Sequence, residues 1–382
     1  MSDVQRLELD MPGTPFRSSM IVGRGLLPQA GDLLREEAGR SLGDRIHLLV
    51  DRGPGDVVST RHGAVIEAAI RGDGGVSVGL VEAKETNKSI ETICRGWDQL
   101  AEAGVDRKGM VVGIGGGIVC DLAGYLASSW MRGIGLALAP TTLLAMVDAG
   151  LGGKTGINRP LRGGGLGKNL VGAFWPARLV ICDTDTLETL GEREFRSGLA
   201  ECVKHALIEG EEALSALAAD LPAVLARDPE AMPGFVARSA AVKADVVRRD
   251  FREGGERALL NLGHTYAHAI ESKVEFGLLH GEAVSIGLVS AASASEAAGL
   301  AAPGLVARIK AVLQACGLPI ALAGVAPDRA GLIATLRQSM QLDKKNSGGR
   351  LRLVLPASPG DCRVVGGPDE SVVEAGWQAI IG

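Results

Sequence analysis

Aromatic residues are scarce in this chain: Phe, Trp and Tyr together make up 3% of its 382 residues. That scarcity excludes base stacking as a way of holding single-stranded nucleic acid. No basic excess compensates for it, since the formal net charge is −5 with both signs interspersed. No CxxC pair occurs among the six cysteines, Cys94, Cys120, Cys182, Cys202, Cys316 and Cys362. Scattered without regular spacing, they read as reduced small hydrophobes and exclude a disulfide framework. No apolar run approaches the ~20 residues of a membrane-spanning helix. The N-terminal MSDVQRLELD has no apolar signal core. The expectation is a soluble, cytoplasmic protein with neither nucleic-acid nor membrane partners.

What is abundant is glycine, with 54 residues, inside a composition that is 46% apolar. With so few aromatics the core must be built from Ala, Val, Leu and Ile, which favours an α/β protein with many tight turns. Compact apolar runs at 45–50, 76–81, 110–114, 134–139 and 179–182 read as strands. Helical patterns at 27–37, 60–72 and 85–103 separate them. This alternation predicts βαβ units, a parallel sheet and a Rossmann-like N-terminal domain over residues 1–182. After Asp183 helical patterns follow one another at 192–209, 211–226, 230–250, 256–273, 281–298, 303–316 and 327–341. Strand character returns only at 351–356. Residues 183–382 are therefore expected to form a mainly helical second domain. The glycine-rich patch RPLRGGGLG at 159–167 reads as a flexible loop.

Three stretches carry chemistry. GIGGGIVCD at 113–121 directly follows a strand pattern and opens a helical one. Its consecutive glycines admit close backbone approach, and the following helix aims its positive end at the same point, so a pyrophosphate is the natural occupant. The strict GxGxxG fingerprint is absent because position 118 is Ile. Asp51, at the end of an apolar strand, is placed to meet a ribose hydroxyl or to form a turn. In PTTLLAMVDAGLGGKTGINRPLRGGGLGKN at 140–169, Lys154 and Lys168 share glycine contexts suited to an anion, beside Asp148 and Asn169. The third stretch, NLGHTYAHAIESKVEFGLLHGE at 261–282, holds three of the six histidines. Neutral imidazole is the commonest ligand for a divalent transition metal. His264 and His268 are spaced i, i+4 and His280 lies further on. Glu201, in the apolar stretch GLAECVK, either pairs with Lys204 or joins two of these histidines as a three-ligand site with an open position. Spacing leaves open whether His264/His268 or His264/His280 supplies the imidazoles.

The blocks GGGIVCDLAG, WMRG, PTTLLAMVDAGLGGKTGIN, GKNLVGAFWPARLVICDTDTLETL, GLAECVKHALI, LNLGHTYAHAIE and LHGEAVSIGL occur in that order. Together, from about Asp51 to Arg352, the chain resembles the 3-dehydroquinate synthases, a branch of the sugar phosphate cyclases. The resemblance implies an NAD-binding N-terminal domain, a helical metal-binding C-terminal domain, an active site between them and a homodimer. It implies a lyase of the shikimate pathway, in aromatic amino acid biosynthesis. Its substrate is a phosphorylated seven-carbon keto acid, 3-deoxy-D-arabino-heptulosonate 7-phosphate. The reaction implied is oxidation of a ring hydroxyl by NAD, phosphate elimination, re-reduction by the same NADH and intramolecular aldol closure. Carried over by position, the ligands of Zn2+, with Co2+ as a substitute, are Glu201, His264 and His280. His268 then moves to proton transfer or substrate orientation, with Lys154, Lys204, Asn169 and Arg132 as further catalytic positions, Arg132 reaching phosphate across the dimer. Lys168, Lys243, Arg257, Asn261, Lys344 and Lys345 match substrate contacts. Asp51, Glu85, Lys88, Gly116, Gly117, Asp121, Thr141, Thr142 and Asp148 match NAD contacts.

Two departures from the family pattern stand out. The loop between Lys154 and Lys168 is about five residues longer, with three extra glycines, and is expected to be a plain extension. Arg52-Gly53 after Asp51 replaces the usual polar third residue. The alternatives kept beside the first reading are a sister cyclase, such as an amino-dehydroquinate synthase, and a metal-dependent polyol dehydrogenase.

Overall fold

The computed structural model describes residues 4–10, 17–39, 44–70, 75–161, 166–273, 276–322, 329–346 and 350–381. The chain divides into two compact units. The first comprises Met1–Gly191 together with Arg227–Arg252, and the second Glu192–Ala226 together with Glu253–Gly382.

The first unit is built on seven strands: β1 (Gln5–Asp10), β2 (Arg17–Gly23), β3 (Ile46–Asp51), β4 (Val76–Val81), β5 (Met110–Gly115), β6 (Gly135–Pro140) and β9 (Leu179–Asp183). Their order across the sheet is β1-β2-β9-β6-β5-β3-β4. Only the β1–β2 pair is antiparallel. β5, β6 and β9 are buried at every residue, which is why they read as unbroken apolar runs. The helices of this unit include α1 (Ala30–Glu36), α2 (Ala64–Ile70), α3 (Ile90–Glu102) and α4 (Gly117–Ser129). Ser89 caps α3 by accepting from the Thr92 amide. After β3 the chain goes outward to β4, then crosses back to β5 on the other side of β3. Such a reversal opens a crevice at the carboxyl ends of β3 and β5, where ligands of open α/β sheets bind.

Two features of this unit differ from the sequence expectation. The segment read as a flexible loop at 159–167 has both its ends in a hairpin of β7 (Lys154–Pro160) and β8 (Leu166–Phe174). Arg159 pairs with Gly167 and Pro160 with Leu166; residues 162–165 lie outside the described residues. Glycine-rich strands have weak local propensity, and here cross-strand pairing decides the outcome. The second difference is the domain break. The expected single division at 182/183 assigns the helical pattern at 230–250 to the second domain. The corresponding helix belongs to the first unit, because Ala244, Val247 and Phe251 cluster with Leu9 of β1. Its apolar face carries no mark of which unit it will cover.

In the second unit α5 (Glu192–Glu209) and α6 (Glu211–Leu225) come first. The chain then contributes α7 (Ala231–Arg249) to the first unit and returns. α8 (His264–Glu271), α9 (His280–Ala297), α10 (Leu305–Ala315), α11 (Arg329–Asn346), the hairpin β10 (Arg352–Ser358)–β11 (Asp361–Gly366) and α12 (Glu370–Gln378) complete it. α9 is buried along most of its length and packs against α5, α8, α10 and α12. Among the described residues no helix is long and apolar enough to cross a membrane.

Candidate active site

Three helices of the second unit meet at their polar residues because their backbones approach unusually closely. Gly281, the second residue of α9, lies so near α5 that a Cβ there would sit 1.8 Å from the Ser197 carbonyl oxygen. Its amide donates to Ser197 Oγ at 3.0 Å. One turn beyond Ser197 on α5 is Glu201, and immediately before Gly281 is His280. His264 is the first residue of α8, which packs along α9.

The result is a convergence of Glu201, His264 and His280, whose ligand atoms lie within 4.8 Å of one another. Glu201 Oε1 is 3.4 Å from His264 Nε2 and 3.5 Å from His280 Nε2. These separations are long for hydrogen bonds, and the fully buried Glu201 Oε1 has no hydrogen-bond partner while Oε2 is in ion-pair contact with Lys204 Nζ. Zn–N and Zn–O bonds of ~2.0–2.2 Å at tetrahedral angles separate neighbouring ligand atoms by ~3.3–3.6 Å. The observed spacing therefore fits one divalent cation. The outer ring nitrogens fit it too. His264 Nδ1 lies 3.2 Å from the Leu262 carbonyl oxygen and His280 Nδ1 lies 3.3 Å from Glu271 Oε1. A proton on each Nδ1, donated to those oxygens, leaves both Nε2 lone pairs facing Glu201, as in carboxylate–histidine–metal arrangements.

Electrostatics agree with the geometry. Burial raises the cost of charge on Glu201, but the Lys204 ammonium in contact with it and the His264 and His280 imidazoles outweigh that cost and hold its carboxyl well below the usual range. Burial likewise opposes charge on His280, and the Glu201 and Glu271 carboxylates overcome it, pushing its pKa up to about 10. The Glu201 and Glu271 carboxylates give the pocket the negative field that a bound cation needs. Changing Glu271 to Gln removes part of that field without touching a ligand. The expected result is a metal affinity lower by roughly 10–100-fold, measured by competition with a chromogenic chelator.

His268, one turn along α8, stays outside this group. It is exposed, with its ring 5.5 Å from that of His264 in an edge-on arrangement. Arg257 is buried on the turn of 3-10 helix at Glu256–Asn261, and Asn261 Nδ2 donates to Glu253 Oε1 at 3.1 Å. Lys344 and Lys345 fall in the last turn of α11, and their side chains lie outside the described residues.

The first unit holds the glycine turn. Gly115 ends β5 with φ +156°, and a Cβ there would meet the Asp51 Cβ at 2.9 Å, so turn and acid flank the same crevice. Gly116 is the N-cap of α4, and no side chain caps that helix. The amides at the very start of a helix lack intrahelical acceptors and suit a pyrophosphate; from Val119 onward the α4 amides are engaged, beginning with the Gly116 carbonyl. Cβ atoms on Gly116 and Gly117 would approach Thr142 Cγ2 at 3.2 Å and Ala149 Cβ at 3.0 Å, so only glycine leaves this cradle open. Thr141 is buried, its amide bonded to the Gly115 carbonyl. Asp51 Oδ1 accepts from the amides of Gly53 at 3.0 Å and Ala83 at 3.2 Å.

Beside the turn runs a polar network. Buried Lys88 contacts both the Asp121 carboxylate and Asn169 Oδ1. Burial drives the Asp121 carboxyl up and Lys88 only partly offsets it, so its pKa stays raised. Asn158 is the member that the sequence reading did not single out. It is buried, donates to Glu85 Oε1 at 2.6 Å and accepts from the Asn169 amide at 3.0 Å. Asn169 itself is held at φ +54°. In the glycine-rich KTGINRP stretch nothing marks Asn158 as buried. Lys243, buried on α7, donates to the carbonyl and to Oδ1 of Asp148, both at 2.7 Å. Lys154 and Lys168 are exposed on β7 and β8. Arg132 is exposed in a turn where Met131 and Arg132 both take left-handed backbone, φ +48° and +70°.

The chain is similar to known proteins over most of its length. Residues 78–197 match the family described as "3-dehydroquinate synthase N-terminal" and residues 198–346 match "3-dehydroquinate synthase C-terminal". A 3-dehydroquinate synthase of Xylella fastidiosa (strain M12) is 42% identical over 370 residues, covering 94% of this chain and 95% of the relative. A solved 2-epi-5-epi-valiolone synthase from Streptomyces hygroscopicus subsp. jinggangensis 5008, with NAD+ and Zn2+ bound, is 26% identical with a TM-score of 0.79. The alignment covers 100% of this chain and 98% of that one. A 2-deoxy-scyllo-inosose synthase complexed with carbaglucose-6-phosphate, NAD+ and Co2+ shares the fold, with a TM-score of 0.83 at 22% identity, covering 98% of this chain and 100% of that one.

Proposed function

Because the chain belongs to the 3-dehydroquinate synthase family, we infer that it converts 3-deoxy-D-arabino-heptulosonate 7-phosphate to 3-dehydroquinate and phosphate. The observation that carries this reading is the buried convergence of Glu201, His264 and His280 in a chain that also keeps the glycine turn at Gly115–Gly117. Relatives named for this activity match over most of the chain, so neither a sister cyclase nor a polyol dehydrogenase is favoured.

When bound, a divalent cation polarises a substrate hydroxyl, and NAD takes up and returns a hydride. Glu201, His264 and His280 would hold the cation, Zn2+ or Co2+. The amides at the start of α4, with Thr141, Thr142, Asp148 and the Glu85–Lys88–Asp121 network, would hold NAD. The remaining work falls to cations and amides of the chain. Lys154, Lys168, Asn169 and Arg132 are assigned to the phosphate, where preorganised donors stabilise the charge that develops as it leaves. Such donors are worth on the order of 10²–10³ in rate each. Arg257, Lys243 and Asn261 are assigned to the substrate carboxylate, with Lys344 and Lys345 as further contacts. Lys204 keeps Glu201 ionised. His268, exposed beside His264, is assigned to proton transfer. The enzyme is a carbon–oxygen lyase without net redox, and its place is the shikimate pathway of the cytoplasm.

A homodimer is part of the reading. Leu161, Leu166, Leu170, Val171 and Phe174 leave the β7–β8 hairpin with an exposed apolar surface. Just beyond Phe174, Trp175 packs against Gly133, the neighbour of Arg132. Contiguous apolar surface of this kind marks association sites.

Purified enzyme given the heptulosonate phosphate, NAD and Zn2+ should release inorganic phosphate while the absorbance of NADH stays flat. NADH accumulating in step with substrate consumed would overturn the lyase reading and indicate a dehydrogenase.

A further inference from the structure

The first unit contains a cavity of about 370 Å³ lined by Arg52, Gly53, Gly55, Asp56 and Glu82. It opens at the carboxyl ends of β3 and β4, which run parallel with Asp51 opposite Val81. Asp51 also abuts Gly115 of the glycine turn. A dinucleotide whose pyrophosphate sits at that turn extends its adenosine ribose toward the next strand ends. The cavity is therefore where a 2′-hydroxyl or a 2′-phosphate would be read.

Asp51 is only half available for that task. Its Oδ1 accepts from the Gly53 and Ala83 amides, which ties the two strand ends together. Glu82, the first residue beyond β4, is exposed, lines the cavity and has the flexible Lys84 ammonium as its ion-pair partner at 2.5 Å. Across from it stands Arg52. Its amide is fixed to the Val81 carbonyl at 2.9 Å, while its guanidinium meets a carboxylate only at 3.8 Å, on Asp56. The cavity thus carries two carboxylates and one loosely engaged guanidinium.

We propose that Glu82 is a specificity-determining residue that makes the enzyme prefer NAD over NADP. Its carboxylate accepts the ribose 2′-hydroxyl and repels a 2′-phosphate, and Arg52 receives that phosphate once the Glu82 charge is removed. The proposal rests on the reading of this unit as the NAD-binding one.

The test is calorimetric titration of NAD+ and NADP+ into the metal-loaded enzyme, independent of turnover. Wild type should bind NAD+ the more tightly. Glu82→Gln should tighten NADP+ binding by about tenfold, the scale expected for removing one like charge near a protein surface. Adding Arg52→Gln to Glu82→Gln should abolish that gain. An NADP+ affinity for Glu82→Gln within about twofold of wild type, or a gain that survives Arg52→Gln, would overturn the assignment. Wild type that binds neither dinucleotide would instead overturn the cofactor reading beneath it. Glu82 and Arg52 are exposed, so matched melting curves are expected for all variants.

Discussion

Glu201→Gln is expected to abolish metal retention and, with it, turnover, while also destabilising the metal-free protein. The two effects have separate origins. Metal is lost because the amide has no charge and a poorer donor atom, and because the field that favours a cation collapses. Stability falls because Lys204, 1% exposed, loses the carboxylate it contacts. Breaking a buried ion pair from one side costs about 3–5 kcal/mol. Adding Lys204→Met should therefore recover part of the stability, since it removes the buried ammonium that Glu201→Gln leaves unpaired. It should recover none of the metal. Denaturant unfolding with metal analysis of the two variants separates the effects; stability and metal returning together would mean that the pair is structural only.

The second large effect is expected at a residue that binds nothing. Gly281→Ala should weaken metal binding on the order of 10–100-fold, as disturbed support of ligands does, and cost roughly 1–3 kcal/mol of stability by overpacking. The added methyl would meet backbone, the Ser197 carbonyl at 1.8 Å, and not a side chain that can turn away. α5 and α9 must separate, which draws Glu201 and His280 apart. A variant that melts as wild type and keeps its metal would show that helix approach does not set the ligand spacing.

Much of this was legible in the sequence, for identifiable reasons. Strands buried on both faces announce themselves as apolar runs, so β3, β5, β6 and β9 lie within a residue or two of the expected bounds, and the half-exposed edge strand β4 is apolar enough to show as well. α5 fell on its expected bounds because its pattern is long and uninterrupted. Residue types gave the inventory of the metal group, but spacing alone did not choose between His268 and His280. His264 and His268 share a helix face locally; His280 joins through the tertiary contact of α8 and α9, which sequence does not display. The β7–β8 hairpin was missed because glycines mask strand character. The short β1 and the terminal α12 were passed over as well. α7 covers the first unit and not the second, which an apolar helix face does not disclose.

The central claim is that one buried carboxylate and two imidazoles from three helices hold a divalent metal. X-ray absorption at the Zn edge on protein dialysed against Zn2+ tests it most directly. The account predicts one zinc per chain in a shell of nitrogen and oxygen containing two imidazoles, with both imidazoles still present in His268→Ala and one lost in His280→Ala. Sulfur in the shell, or an imidazole lost in His268→Ala but not in His280→Ala, would contradict it.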